Sequence, residues 1–108
     1  MAVAGAGNRI DTTVREWSGV EGRPHRYGGT EYRLGHREIG HVHGDSLVDI
    51  PFPRGTRDEL VAAGRAEPHH ILPKSGWVSF YIRHAADVEG AIGLLRLSFE
   101  IASKKSAQ

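Results

Sequence analysis

The longest regular pattern lies towards the C-terminal end. Val88, Ile92, Leu95, Phe99 and Ala102 recur at i, i+4, i+7, i+11 and i+14, and Leu94, Leu97 and Ile101 widen the stripe. This predicts a helix from about residue 86 to 103 that packs on more than one partner. At roughly 1.5 Å per residue it spans about 27 Å, the width of a small domain. Gly90 and Gly93 inside it each cost up to about 1 kcal/mol in propensity, which points to a sheet approaching closely there. Near the other end Ile10, Val14 and Trp17 form a shorter stripe at i, i+4 and i+7, with Asn8 as N-cap and Gly19 as stop. Glu21-Gly22-Arg23-Pro24 reads as a loop.

Between these helices the period changes to two. Residues 30–34, 37–43 and 46–52 alternate as strands, with Gly35-His36 and Gly44-Asp45 as two-residue turns of the type that favours glycine first. Those loops pair Tyr32 with Ile39, Thr30 with His41, His43 with Ser46, His41 with Val48 and Ile39 with Ile50. One face then collects Thr30, Tyr32, Leu34, Ile39, His41, His43, Val48, Ile50 and Phe52. The other collects Glu31, Arg33, Glu38, Gly40 and Asp49, with Arg33 opposite Glu38. Thr56-Arg57-Asp58-Glu59 is a capping box that opens a short helix closed by Gly64. A second hairpin follows, with residues 68–72 as one strand, Lys74-Ser75-Gly76 as the turn and Trp77 to Arg83 as its partner. Val78, Phe80 and Ile82 share one face of that partner strand, Trp77, Ser79 and Tyr81 the other.

The predicted order is helix, three strands, helix, two strands, helix. This is an α+β fold in which an antiparallel sheet, a three-stranded meander plus a hairpin, carries a long C-terminal helix and two shorter ones. Residues 9–103 are expected to form one domain, with flexible tails at 1–8 and 104–108. No internal repeat interrupts this reading.

Composition narrows the function classes. The chain has 108 residues and a formal net charge of +1, so it is no polycation for nucleic acid or membrane surfaces. No apolar run is long enough to span a bilayer, and no signal-peptide pattern opens the chain, so a cytoplasmic address is expected. With no cysteine there is no disulfide, thiolate nucleophile or cysteine-held metal. Arginine outnumbers lysine 11 to 3, and there are seven histidines, whose full protonation would take the charge from +1 to +8.

The histidines supply the candidate chemistry. His41-Val42-His43 puts two imidazoles on one face of a strand, a spacing that suits a shared metal ion. A third ligand is needed, and in the predicted register Asp49 faces away, leaving His69 or His70 to contribute from the second hairpin, where the two point to opposite faces. Both strand histidines are more simply read as hydrogen-bonded polar residues of a partly buried sheet. The site expected is therefore a ligand pocket at Tyr32, His41, His43 and His70, with no metal and no cofactor. Arg54 and Arg57 at a helix start form an anion-binding candidate. Trp77 and Tyr81 suit stacking of a planar ligand if their face is left uncovered. No serine has a nucleophile-elbow context, Gly28-Gly29 lacks the dinucleotide fingerprint, and Asp45 is explained by its turn, so no catalytic residue is assigned.

The runs His25 to Gly35, Glu38 to Asp45, Val48 to Pro53, Arg57 to Gly64, Glu67 to His70 and Leu72 to Val78 together resemble the luciferase domain family of small bacterial proteins, over about residues 17–103. That resemblance implies no established activity. The family's name implies light emission, but flavin luciferases are barrels of about 250 residues, so the label is expected to be inherited. The Trp77-led strand and Ser98-Phe99 are also similar to the YjbR-like double-wing proteins. That likeness implies a comparable fold and DNA binding through hairpin wings, for which Arg33, Arg37 and Lys74 are the candidates. The expected function is a non-catalytic binding module for a small molecule or partner protein, with nucleic-acid binding as the alternative, an enzyme third, and no membrane partner.

Overall fold

The computed structural model describes residues 2–25 and 28–106. Its element order is α1 (Ala6–Arg15), β1 (Val20–Pro24), β2 (Thr30–Leu34), β3 (Arg37–His43), β4 (Leu47–Pro51), α2 (Arg54–Ala62), β5 (Glu67–Pro68), β6 (Trp77–Tyr81) and α3 (Asp87–Ser106). The strands form one antiparallel sheet in the order β1-β2-β3-β4-β6-β5. The α+β architecture with a long C-terminal helix is therefore as expected, and the sheet gains a strand. Glu21 to Pro24, read as a loop, belongs to β1, which pairs with β2 from Val20↔Leu34 to Pro24↔Thr30. Gly22 and Pro24 are tolerated because β1 is an edge strand.

The core lies between the sheet and the α1–α3 layer. Ile10, Val14, Tyr32, Ile39, Val48, Ile50, Val78, Ile82, Leu94 and Leu95 are fully buried there. The α3 stripe is the predicted one. Of the two α3 glycines, Gly90 is the one the sheet presses on, since a Cβ there would stand 2.9 Å from Phe80 Cζ, whereas Gly93 faces open space. Trp17 lies beyond the end of α1 and packs with its ring tilted against Phe99, centroids 5.4 Å apart.

The expected caps are replaced. Asn8 does not cap α1. Gly5 is the N-cap residue, and Asp45, across the fold, accepts hydrogen bonds from the amides of Gly7 (2.8 Å) and Gly5 (3.3 Å). Thr56 does not cap α2, which starts at Arg54 after Pro53. Gly64 closes α2 in the left-handed conformation, as predicted.

The register of β3 decides the site. The turn at 35–36 and the Arg33↔Glu38 pair are as expected. The next pair is Tyr32↔Gly40, so Ile39 is an extra residue, a β-bulge. Ile39 stays in the core, but every later residue of β3 changes face. The following loop has three residues, giving His43↔Leu47, Val42↔Val48 and His41↔Asp49. Val42 rather than His41 or His43 thus faces the helices, and both imidazoles share the outer face with Asp49. The bulge places Gly40 beneath α3 at φ +153, with Leu95 Cδ2 only 2.6 Å from where a Cβ would stand.

Candidate functional site

The sheet face turned away from α1 and α3 carries a cavity of about 880 Å³, with no helix residue in its lining. Its floor comes from alternate positions of four strands: Glu31 (β2), Glu38, His41 and His43 (β3), Asp49 (β4) and Trp77 (β6). The stretch from His69 to Leu72 forms one wall. There Ile71 and Leu72 are 71% and 51% exposed, the two large apolar side chains presented to solvent among the described residues.

Asp49 is the centre. It is 1% exposed, and its Oδ1 accepts the Ser79 hydroxyl at 2.8 Å. Its Oδ2 is approached by four imidazole Nε2 atoms: His43 and His70 at 3.1 Å, His41 at 3.3 Å and His69 at 3.5 Å. A buried carboxylate survives only when paired and hydrogen-bonded, and these contacts meet that need. Burial alone would push the Asp49 carboxyl up, but its contacts to His41, Ser79, His70 and His69 outweigh this and hold it well below the usual range.

The histidines differ in their second contacts. His41 Nδ1 lies 2.6 Å from Glu38, and its ring stacks on His25 at 4.0 Å, while His25 pairs with Glu31. Burial pulls the His41 imidazole down, but its bonds to Asp49 and Glu38 lift it to about 9. Burial, helped by the charge on His41, lowers His43, and burial together with the neighbouring His70 and His41 rings lowers His69. His69 Nδ1 accepts the backbone amides of Leu72 (3.0 Å) and Ile71 (3.1 Å), which fixes the wall loop to the floor. Trp77 stands 5.3 Å from the His41 ring and 6.0 Å from the His69 ring.

Of the pocket residues expected from sequence, His41, His43 and His70 come together and Tyr32 does not. Tyr32 faces α1 and donates its hydroxyl to Asp11 at 2.7 Å. His69 and His70 were expected on opposite faces. They follow β5 rather than lie within it, stack at 4.4 Å and both reach Asp49. Trp77 lines the cavity, whereas Tyr81 lies outside it under the Arg83 guanidinium. Arg57 is engaged by Asp58 and by the Pro73 carbonyl, and Arg54 is exposed. Arg33 pairs with Glu31 and donates to the His36 carbonyl, while Arg37 and Lys74 are exposed and apart from the cavity. Asp49, His25, Glu38 and His69 were absent from the expected site. Alternation had already put Asp49 and Glu38 together on the outer face, and only the bulge brought the imidazoles to them.

Fold and site define a class: a small α+β domain whose helices cover one face of an antiparallel sheet and whose other face holds a histidine-lined cup. The family model for the Luciferase domain matches residues 36–98, more than half of the chain, and the chain belongs to that family. The matched stretch holds Glu38, His41, His43, Asp49, His69, His70 and Trp77. Neither the search of curated proteins nor the search of solved structures found a match.

Proposed function

We propose that this protein is a binding module for a small, planar, largely apolar organic molecule that carries hydrogen-bonding groups along one edge. The cup supports this reading more than any other feature. Its volume of about 880 Å³ is that of a small-molecule site, and apolar walls over a few convergent polar groups are what such sites use for affinity and orientation. Trp77, Ile71 and Leu72 offer the apolar contact, and the imidazoles offer the polar edge. The charges beneath are largely paired, because Asp49 and Glu38 meet His41 and Glu31 meets Arg33. An uncharged ligand fits that balance better than a polyanion such as nucleic acid, whose affinity grows with the number of free cations.

The test uses Trp77 as reporter, with Trp17 changed to Phe to silence the second indole. Titration with a panel of neutral planar phenols and heterocycles should give saturable quenching, and amide shifts in NMR spectra should concentrate at residues 38–43 and 69–77. Absence of saturable quenching by any compound, or shifts confined to other surfaces, would contradict the reading.

A further inference from the structure

We propose that His41, His43 and Asp49 bind one divalent first-row transition-metal ion at the floor of the cup. The sequence pattern suggested such a site at His41-Val42-His43 but left it without a carboxylate. The bulge at Ile39 supplies one, because it turns both imidazoles onto the face of Asp49.

Three observations carry the inference. The first is spacing. Ligand atoms about 2.0–2.2 Å from one ion stand roughly 2.8–3.6 Å from one another in tetrahedral or octahedral arrangement. Asp49 Oδ2 lies 3.3 Å from His41 Nε2 and 3.1 Å from His43 Nε2, and the three donor atoms all lie within 4.8 Å of one another. The second is orientation. Glu38, 2.6 Å from His41 Nδ1, holds a proton on that nitrogen, so an incoming metal displaces the proton on Nε2 and takes that lone pair, the carboxylate–histidine arrangement common behind metal ligands. Ser79 likewise occupies Asp49 Oδ1 and leaves Oδ2 as the donor.

The third observation separates ligand from support. His69 with Asp49 and His70 makes a second group of suitable spacing. However, His69 Nδ1 accepts two backbone amides, so the neutral ring carries its proton on Nε2, the atom that faces Asp49. His69 thus turns an N–H rather than a lone pair towards the carboxylate, 3.5 Å away, and is no metal ligand. Only one oxygen of Asp49 is left for a cation, and two dications on that single charge would repel strongly in a buried setting, so one ion is assigned. A mixed imidazole and carboxylate set selects zinc, iron, cobalt or manganese over calcium or magnesium. Three protein ligands leave positions open to the cup.

The site stands independently of the organic ligand, and its test uses none. Tag-free protein is titrated with Co²⁺, read by its visible absorption, and with Zn²⁺, read by calorimetry. One ion per chain is expected, with the Co²⁺ band characteristic of nitrogen and oxygen ligands. His43→Gln should weaken binding by more than about tenfold, a cost at least equal to losing a supporting group. His69→Gln should retain the band, and the double change His36→Ala with His84→Ala, both exposed and outside the cup, should leave binding unaltered. If His43→Gln does not fold, Glu38→Gln serves instead, with lower affinity and the band retained. No band and no heat with the parent protein would overturn the proposal, as would undiminished affinity in His43→Gln or in its replacement.

Discussion

Gly40 shows how one residue without a side chain sets the site. Its φ of +153 is open to glycine, and an added Cβ would meet Leu95 Cδ2 at 2.6 Å and the Asp49 carbonyl at 3.1 Å. Gly40→Ala should therefore push α3 off β3, at a cost of about 1–3 kcal/mol. In a domain of this size each kcal/mol lowers Tm by roughly 4–8 °C, which thermal circular dichroism will resolve. An unchanged Tm would mean that α3 does not press on the bulge. Asp87 works by charge. Its carboxylate accepts the amides of Arg83 (2.8 Å) and His84 (2.9 Å), which holds its carboxyl below the usual range, with Arg65 and Glu67 across the adjacent groove. A depressed carboxyl stabilises the fold above its unfolded value, near pH 3.9, and that contribution is lost as pH falls through the folded value. Asp87→Asn should be less stable than the parent at neutral pH, with the gap narrowing below about pH 4. A gap independent of pH in urea titrations would exclude the charge as its origin.

The elements repeat this division between local and long-range causes. Helix α1 opens without a cap of its own and borrows Asp45 from the turn between β3 and β4. Asp45→Ala should cost about 1 kcal/mol, as loss of a cap does, and speed amide exchange at Gly7. Unaltered exchange there would show that the turn does not hold the helix. The α3 stripe, the Gly35-His36 turn, the Arg33–Glu38 pair and the glycine closing α2 were legible in the sequence because each depends on neighbours a few residues away. The α1 cap was not, since its partner lies 38 residues distant. Nor was β1, whose Gly and Pro read as breakers until β2 pairs with it. The bulge was the costliest omission. Counting by twos placed Ile39, His41 and His43 on one face, and a single extra residue moved the two imidazoles to the other while Ile39 stayed in the core. Two of the four residues expected to line the pocket, His41 and His43, thus lie on the opposite side of the sheet from the one expected.

At the scale of the whole molecule, the helices α1 and α3 cover one face of the sheet and leave the other to a cluster of titratable groups around Asp49. Among the described residues no helix is long and apolar enough to cross a membrane. The long stripe of α3 is instead used on the sheet and α1. The sheet brings the β3–β4 hairpin and the loop after β5 to one cavity, though these two segments are distant along the chain. That is why the four imidazoles that surround one carboxylate come from two separate parts of the sequence. The most direct measurement is a crystal structure of zinc-loaded protein with an anomalous difference map at the zinc edge. It should show His41, His43 and Asp49 on the helix-free face and one peak about 2.0–2.2 Å from their donor atoms. Imidazoles turned towards α3, or zinc found only at exposed histidines such as His36 and His84, would contradict the account.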